Sequence, residues 1–274
     1  MIVFLYTNKV CEHQAISCIR SMESKITDDV KIVYFTIGFV SDFTSKNLIK
    51  VPIPERDYPT FHYYKAELSL DVMDMFPEEN YFVFTDTDVL FSRRLDFSKL
   101  KHDHPYPLAS YGPHEQVYIW EKVDEEVVVY DANLLMKYLN VPYSTSRYQW
   151  SCFYAFNRSC YEFFEEYASL CMNKYLLKRR KHFFPFHDET PFNICLWKRG
   201  VTGGFGYIFV NTHFLDTVKL VESETVKDKH LGKNIDDKGA DWEYVYDSND
   251  IIMYHGFKDV DSTKIALSYL LNDI

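Results

Sequence analysis

The order of apolar segments at the start of the chain constrains the fold more than any other feature of the sequence. A short β-branched and aromatic run at 1–6 precedes a segment with apolar residues at helical spacing, and a second such run follows at 30–36. The apolar face of the helical segment carries Ala15, Ile16, Ile19 and Met22. A strand, a helix and a strand in this order form a βαβ unit with two parallel strands. The pattern therefore predicts an α/β fold.

The alternation of helices and strands continues along the chain. The spacing of apolar residues predicts further helices over 63–75, 161–180, 187–197 and 264–271, and further strands over 81–84, 150–156 and 251–254. We expect loops and short helices over 101–148, where Pro, His and Tyr are frequent, and a lid over the charged segment 216–249. The sequence has no internal repeat and no clear linker, so we expect 1–274 to form a single domain.

The composition is typical of a soluble globular protein. Of 274 residues, 47% are apolar and 26% are charged. No apolar run approaches the roughly 20 residues that span a bilayer, and the apolar start is too short for a signal peptide, so we expect a cytoplasmic protein. The six cysteines include no CxxC pair, which favours reduced, mostly buried thiols over disulfides or a zinc site.

The net charge of -10 limits the classes of ligand. A protein that binds nucleic acid regardless of sequence needs a basic face, so this class is disfavoured. An acidic protein that binds a phosphate-bearing substrate needs a cation between the two negative groups. The basic run at 178–182 favours a solvated helix end, with peripheral membrane contact as the alternative.

Asp86 and Asp88 form the first candidate site. They follow a fully apolar strand that itself follows a helix, and open α/β sheets bind ligands at the carboxyl ends of their strands. Alternate residues of an extended segment project to one side, so both carboxylates can reach one cation, and hard oxygen ligands suit Mg²⁺ or Mn²⁺. A surface turn is the alternative. The similar pair Asp259 and Asp261 lies past the last predicted strand.

Asp188 and Glu189 form the second candidate site. They follow the aromatic run 183–186, and adjacent carboxylates in an apolar setting need partners. Either carboxylate could act as a nucleophile or as a general base. Helix capping explains the pair equally well, because acidic residues stabilise a helix start and Pro191 is typical of one.

The third candidate site follows the last predicted strand. His255 offers a metal ligand, Gly256 allows close approach of the backbone, and Lys258 offers a cation for phosphate. A histidine at a strand end is more often structural, which is the alternative interpretation.

Taken together, these motifs resemble glycosyltransferases of the GT-A fold. The segment 84–90 is similar to the metal-binding Asp-x-Asp motif of the family 8 retaining enzymes, the relatives of glycogenin and of bacterial lipooligosaccharide galactosyltransferases. The segment 255–258 resembles the C-terminal motif of that family. The segment 187–190, followed by Asn193, resembles the His-Asp-Glu-Ser motif of the blood-group-type family 6 retaining enzymes. Residues 150–152 read Trp-Ser-Cys, where family 8 has Asn-x-Gly.

The resemblance implies a Rossmann-like nucleotide-diphospho-sugar transferase fold, with a mixed, mostly parallel central sheet flanked by helices. It implies a nucleotide-binding half over 1–100 and an acceptor-binding and catalytic half over 101–274. The implied ligands of Mn²⁺ or Mg²⁺ are Asp86, Asp88 and His255. The implied contacts to the nucleotide-sugar donor are Thr7, Asn8, Lys65, Asp86 and Lys258. Glu189 would act as nucleophile or stabilise an oxocarbenium-like state, and Asp188 would contact the sugar or the acceptor.

The implied activity is transfer of a hexose from a UDP-linked donor to a glycan or other hydroxyl acceptor, with retention, in a bacterial or viral cytoplasm. One alternative is a non-catalytic protein that binds carbohydrate or a nucleotide-sugar. The other is a sugar-phosphate nucleotidyltransferase, which needs a glycine-rich loop after the first strand. The corresponding segment 7–11 contains no glycine, which disfavours that alternative.

Overall fold

The structure is a computed structural model of the chain. It describes residues 1–26, 30–91, 97–111, 118–123, 126–131, 149–173, 188–201, 209–211, 229–235, 241–247 and 253–255. Within these ranges, no helix combines the length and the apolar character needed to cross a membrane. All six cysteines are free thiols, and five of them are buried, as the sequence predicted.

The helices and strands of the described residues are as follows. The α-helices are α1 (Glu12–Lys25), α2 (Tyr64–Met75), α3 (Tyr161–Cys171) and α4 (Glu189–Lys198). The first strands are β1 (Ile2–Thr7), β2 (Lys31–Ile37), β3 (Leu48–Ile53), β4 (Tyr81–Thr85), β5 (Val89–Phe91), β6 (Leu108–Tyr111) and β7 (Tyr118–Val123). The later strands are β8 (Glu126–Asp131), β9 (Gln149–Asn157), β10 (Phe209–Asn211), β11 (Lys229–Ile235), β12 (Asp241–Asp247) and β13 (Met253–His255). Short 3₁₀ turns cover Phe61–Tyr63, Phe97–Leu100 and Arg158–Cys160.

A six-stranded sheet with the order β3-β2-β1-β4-β9-β6 forms the centre of the fold. The strands β1, β2 and β3 are parallel to one another, and β6 is antiparallel to β9. The N-terminal βαβ unit is therefore confirmed, with Ile2 opposite Lys31 and Thr7 opposite Thr36. The predicted α/β class with a mixed sheet flanked by helices is also confirmed.

Smaller sheets complete the described secondary structure. In a three-stranded sheet of order β10-β13-β5, β13 is parallel to β10 and antiparallel to β5. The strands β7 and β8 form one antiparallel pair, and β11 and β12 form another. The second of these pairs lies inside 216–249, where the sequence predicted a lid; the role of a lid stays a prediction.

The chain divides into two compact units, neither of which is continuous in sequence. Unit 1 comprises Met1–Glu55, Val83–Lys101 and Tyr207–Ile274, and unit 2 comprises Arg56–Phe82 and His102–Gly206. The C-terminal part belongs with unit 1, in which β13 pairs with β5. These units do not follow the expected halves on either side of residue 100, and the single domain stays a prediction.

Aromatic side chains fill the interior of each unit. In unit 1, Phe4 on the fully buried strand β1 packs against Phe35 of β2 and Phe84 of β4. In unit 2, Tyr154 of β9 packs against Phe164 of α3 and Phe192 of α4. Buried rings each remove 150–250 Å² from water, so this packing accounts for much of the 18% aromatic content.

The prediction of loops and short helices over 101–148 is wrong where the structure has the strands β6, β7 and β8. Residues 101–107 form no helix or strand, which agrees with the prediction, and 112–117, 124–125 and 132–148 lie outside the described residues. The run 127–130, Val-Val-Val-Tyr, consists of residues that favour strands. The strand propensity of this run was overlooked because the Pro-, His- and Tyr-rich residues before it indicate loops.

Three further differences have local causes. The strand β3 went unpredicted because Pro52 interrupts its apolar pattern, and Pro is tolerated there because β3 is an edge strand. The helix expected over 161–180 ends at Cys171, where the Asn173 N–H donates to the carbonyl of Leu170. The apolar spacing of 63–75 places Met75 on the same face as Leu68 and Val72, but Met75 is exposed because it ends the helix. The helix predicted over 264–271 lies outside the described residues.

Candidate functional site

A buried ion pair between Lys65 and Asp188 lies in unit 2. Lys65 is the second residue of α2 and its side chain is 2% exposed, while Asp188 directly precedes α4 and is 8% exposed. The Lys65 Nζ lies 2.7 Å from Asp188 Oδ2. The Ser151 hydroxyl on β9 donates to the same carboxylate oxygen at 2.8 Å and accepts a hydrogen bond from Lys65 Nζ at 3.2 Å. One carboxylate oxygen thus joins α2, β9 and the start of α4.

The charge of Asp188 is compensated inside the fold. Burial raises the pKa of the Asp188 carboxyl, but the Lys65 charge, the nearby His62 and the hydrogen bonds from Lys65 and Ser151 together outweigh that effect. The pKa therefore lies below its usual value, and the carboxylate is ionised at neutral pH. A buried charge is tolerated when it is both paired and hydrogen-bonded, as it is here.

The structure bears on one of the two interpretations of Asp188, helix capping. The residue stands at the cap position of α4, but its side chain makes no capping hydrogen bond. Because its carboxylate binds Lys65 and Ser151 instead, helix capping is the wrong explanation for Asp188. Glu189 lies in the first turn of α4 and is half-buried, so its charge is also compatible with the helix dipole.

A buried carboxamide fixes the same helix against the same strand. The Asn193 side chain accepts a hydrogen bond from the backbone N–H of Gln149 and donates to the Gln149 carbonyl, both at 2.8 Å. It also donates to the carbonyl of Glu189 at 2.9 Å. Asn193 therefore ties the first turn of α4 to the first residue of β9, and this holds the backbone of Glu189 in place.

His62 is a site residue that the sequence analysis missed. It lies in the 3₁₀ turn directly before α2, and its Nδ1 is 3.9 Å from Asp188 Oδ1. Its side chain is 54% exposed. No motif surrounds His62 in the sequence; the only available signal was its position three residues before Lys65.

Thr7, Asn8, Asp86 and Asp88, four of the residues expected to bind the donor or the metal, lie in unit 1, whereas Lys65 lies in unit 2. Thr7 is the last residue of β1, and Asn8 follows it and accepts a hydrogen bond from the backbone N–H of Cys11 at the start of α1. Asp86 and Asp88 follow β4 and directly precede β5. These positions are the carboxyl ends of strands, as the sequence predicted.

Two side chains of α1 hold the Asp-x-Asp turn and the strand β5 that follows it. The Cys18 thiol donates to the carbonyl of Asp86 at 3.7 Å. The Ser21 hydroxyl donates to the carbonyl of Cys18 and accepts from the backbone N–H of Phe91 at 3.1 Å. Burial raises the pKa of the Cys18 thiol, and the carboxylates of Asp88 and Asp86 raise it further. The turn is therefore both anchored and electrostatically negative, which suits a cation.

His255 is brought to the same part of unit 1 by strand pairing. It is the last residue of β13 and lies opposite Val89, the residue after Asp88. Side-chain positions are described for Asp86 and Asp88, and among such residues no group of three metal-ligating side chains occurs. Two carboxylates with an imidazole at a paired position suit Mn²⁺ or Mg²⁺ in the character of their donors.

Several predicted site residues lie outside the described residues. These are His187, Lys258 and the basic run 178–182.

No protein-family model matches the chain, and no curated protein matches its sequence. Among solved structures, the chain is similar to the apo structure of the WbbM bifunctional glycosyltransferase, with a TM-score of 0.60 and 13% sequence identity. The similarity covers 98% of this chain and 49% of the other, so the chain spans about half the length of that protein. At this identity, the similarity shows that the two chains share a fold.

The ion pair leads to a prediction about stability. Removing one partner leaves the other charge buried and unpaired, which costs about 3–5 kcal/mol. We therefore expect Lys65→Met and Asp188→Leu each to lower the free energy of unfolding by about that amount, measured by urea denaturation. The double variant should lose clearly less than the sum of the two single losses, because it leaves no unpaired charge. If the double variant lost as much unfolding free energy as the two single variants together, the two charges would not be coupled.

Proposed function

We propose that the chain is a metal-dependent glycosyltransferase that moves a hexose from a UDP-linked donor to a hydroxyl group of an acceptor, with retention of anomeric configuration. The fold that it shares with a bifunctional glycosyltransferase supports this reaction class. The observation that carries the proposal is the pairing of His255 with Val89. It brings the third expected metal ligand to the strand that begins directly after Asp88, although the two motifs lie far apart in sequence.

In this proposal, Asp86, Asp88 and His255 hold Mn²⁺ or Mg²⁺. The bound cation would neutralise the diphosphate and stabilise negative charge on the leaving group. Such a cation would let a protein with a net charge of -10 bind a negatively charged diphosphate.

We assign the remaining donor contacts from the position of residues at strand ends and from their charge. We assign Thr7 and Asn8 to the nucleoside, since they end β1 at the side of the sheet where α/β folds bind nucleotides. Lys258 keeps its assignment to the diphosphate. Lys65 was expected to touch the donor, but its ammonium group is bonded to Asp188 and Ser151. We therefore infer that Lys65 acts on the donor by holding the Asp188 carboxylate.

Asp188 and Glu189 are assigned to the sugar. The ionised Asp188 accepts a hydrogen bond from a sugar hydroxyl. A Glu189 oxygen bonds to the anomeric carbon as the bond to the diphosphate breaks. The acceptor oxygen then displaces Glu189, and its proton passes to the released diphosphate. Two inversions give net retention. Without a covalent bond, the same carboxylate would stabilise an oxocarbenium-like state.

The metal and donor assignments predict a selective effect on thermal stability. A ligand that binds only the folded state at 100 times its Kd adds about 2.7 kcal/mol. For a chain of this size, that raises the melting temperature by roughly 5–10 °C. We expect this shift with UDP and Mn²⁺, and not with UDP and EDTA or with GDP, CMP or ADP. Asp88→Ala should abolish it.

The absence of a shift with every nucleotide would contradict the metal and donor assignments. A metal-dependent shift without any turnover of UDP-hexoses would favour the non-catalytic binding protein over the enzyme.

If Glu189 is the nucleophile, replacing it lowers the rate of the reaction. The loss of one negative charge from the first turn of a helix does not by itself have this effect. We expect Glu189→Gln to lower kcat by at least 10²-fold, because the amide is neither a nucleophile nor an anion. Glu162→Gln is the matched control, since Glu162 is also a first-turn glutamate in unit 2 and is exposed. It should keep the wild-type rate. Proton NMR of the product gives the anomeric configuration, and an inverted product would remove Glu189 as nucleophile.

A further inference from the structure

The two oxygens of the Asp188 carboxylate differ in their surroundings. Within the described part of the chain, the hydrogen bonds from Lys65 and Ser151 both go to Oδ2. The neighbour of Oδ1 is the imidazole of His62, with Nδ1 at 3.9 Å. An ionised carboxylate only accepts hydrogen bonds, so Oδ1 offers an acceptor on the side where His62 is exposed.

The distance between His62 and Asp188 fits one intervening oxygen atom. At 3.9 Å, the two atoms are too far apart for a direct hydrogen bond. An oxygen about 2.8 Å from each of them closes a triangle with an angle of about 90° at that oxygen. A hydroxyl group can donate to Oδ1 and at the same time accept from the Nδ1–H of the imidazole. An ether oxygen can accept a hydrogen bond but has no proton to donate. A methylene group can neither donate nor accept one.

We propose that His62 and Asp188 together recognise one hydroxyl group of the transferred hexose, and that His62 is a specificity-determining residue. This inference rests on the proposed function, since it assigns the hydroxyl to the sugar of the nucleotide-sugar donor. A hexose that is deoxygenated or alkylated at that position is disfavoured. It leaves a buried, ionised oxygen without a donor, which costs more than an ordinary hydrogen bond.

Both partners are attached to the helix α2. His62 belongs to the 3₁₀ turn that runs directly into α2, and the same helix carries Lys65, which binds the other oxygen of the carboxylate. Thus α2 positions both groups that contact the hydroxyl: His62 directly, and the Asp188 carboxylate through Lys65. Preorganised groups lose little freedom on binding, which favours selectivity at this position.

The experiment compares UDP with UDP-glucose, UDP-galactose and their monodeoxy derivatives by titration calorimetry in Mn²⁺. The ratio of the Kd of UDP to that of a UDP-hexose isolates the contribution of the sugar. His62→Ala should reduce this ratio by roughly fivefold to tenfold for the preferred hexose and leave the Kd of UDP unchanged. His62→Gln, which keeps an N–H donor, should recover part of the loss. One monodeoxy derivative, lacking the recognised hydroxyl, should bind wild type and His62→Ala equally well.

His104→Ala is the matched control. His104 is also an exposed histidine of unit 2, and it stacks on His102 and Tyr106. Its removal should leave the ratio unchanged. If His62→Ala leaves the ratio unchanged for every hexose, or changes it equally for all deoxy derivatives, the pair does not recognise a hydroxyl. Failure of UDP to bind in Mn²⁺ would instead overturn the proposed function, and this inference with it.

Discussion

A buried contact between an ammonium group and a carboxylate organises unit 2. Lys65 and Asp188 come from segments far apart in sequence, and Ser151 joins them from a third element. Burying two charges is expensive, and well-packed apolar residues at such positions often give a more stable protein. This chain nevertheless has two charged residues, Lys65 and Asp188, at these buried positions. In the proposed function, the pair holds an ionised carboxylate beside Glu189, which gives a reason to bury two charges here.

The start of α4 is attached to the start of β9 at two points. The side chain of Asp188 binds Ser151, and the side chain of Asn193 binds the backbone of Gln149. One attachment point on β9 is the side chain of Ser151 and the other is the backbone of Gln149, two residues earlier. Glu189 lies between the two attachment points, with its carbonyl bonded to Asn193. Its backbone is thus held through the hydrogen bond from Asn193 to its carbonyl.

The four described α-helices and the strands β1, β2, β4, β9 and β13 were predictable, because helical spacing or a continuous apolar run marks each of them. The other eight described strands were not predicted: proline and polar residues interrupt β3 and β6 to β8, and β5 and β10 to β12 are three residues long or rich in charged and polar residues. In the site, sequence position identified Asp188, Glu189 and Lys65 one by one. Their pairing depends on how α2, β9 and α4 pack, which a single sequence does not contain. His62 has no motif at all, so only its place beside the Asp188 carboxylate reveals it.

The central claim is that this chain cleaves a nucleotide-sugar at its anomeric carbon. The most direct measurement is ³¹P NMR of UDP-glucose and UDP-galactose incubated with the protein and Mg²⁺. The diphosphate ester of one donor should convert to UDP in wild type, through transfer to an added glycan acceptor or to water, and not with EDTA present. A donor signal that stays unchanged for both sugars, with and without acceptors, would contradict the claim that the protein is a glycosyltransferase acting on UDP-hexoses.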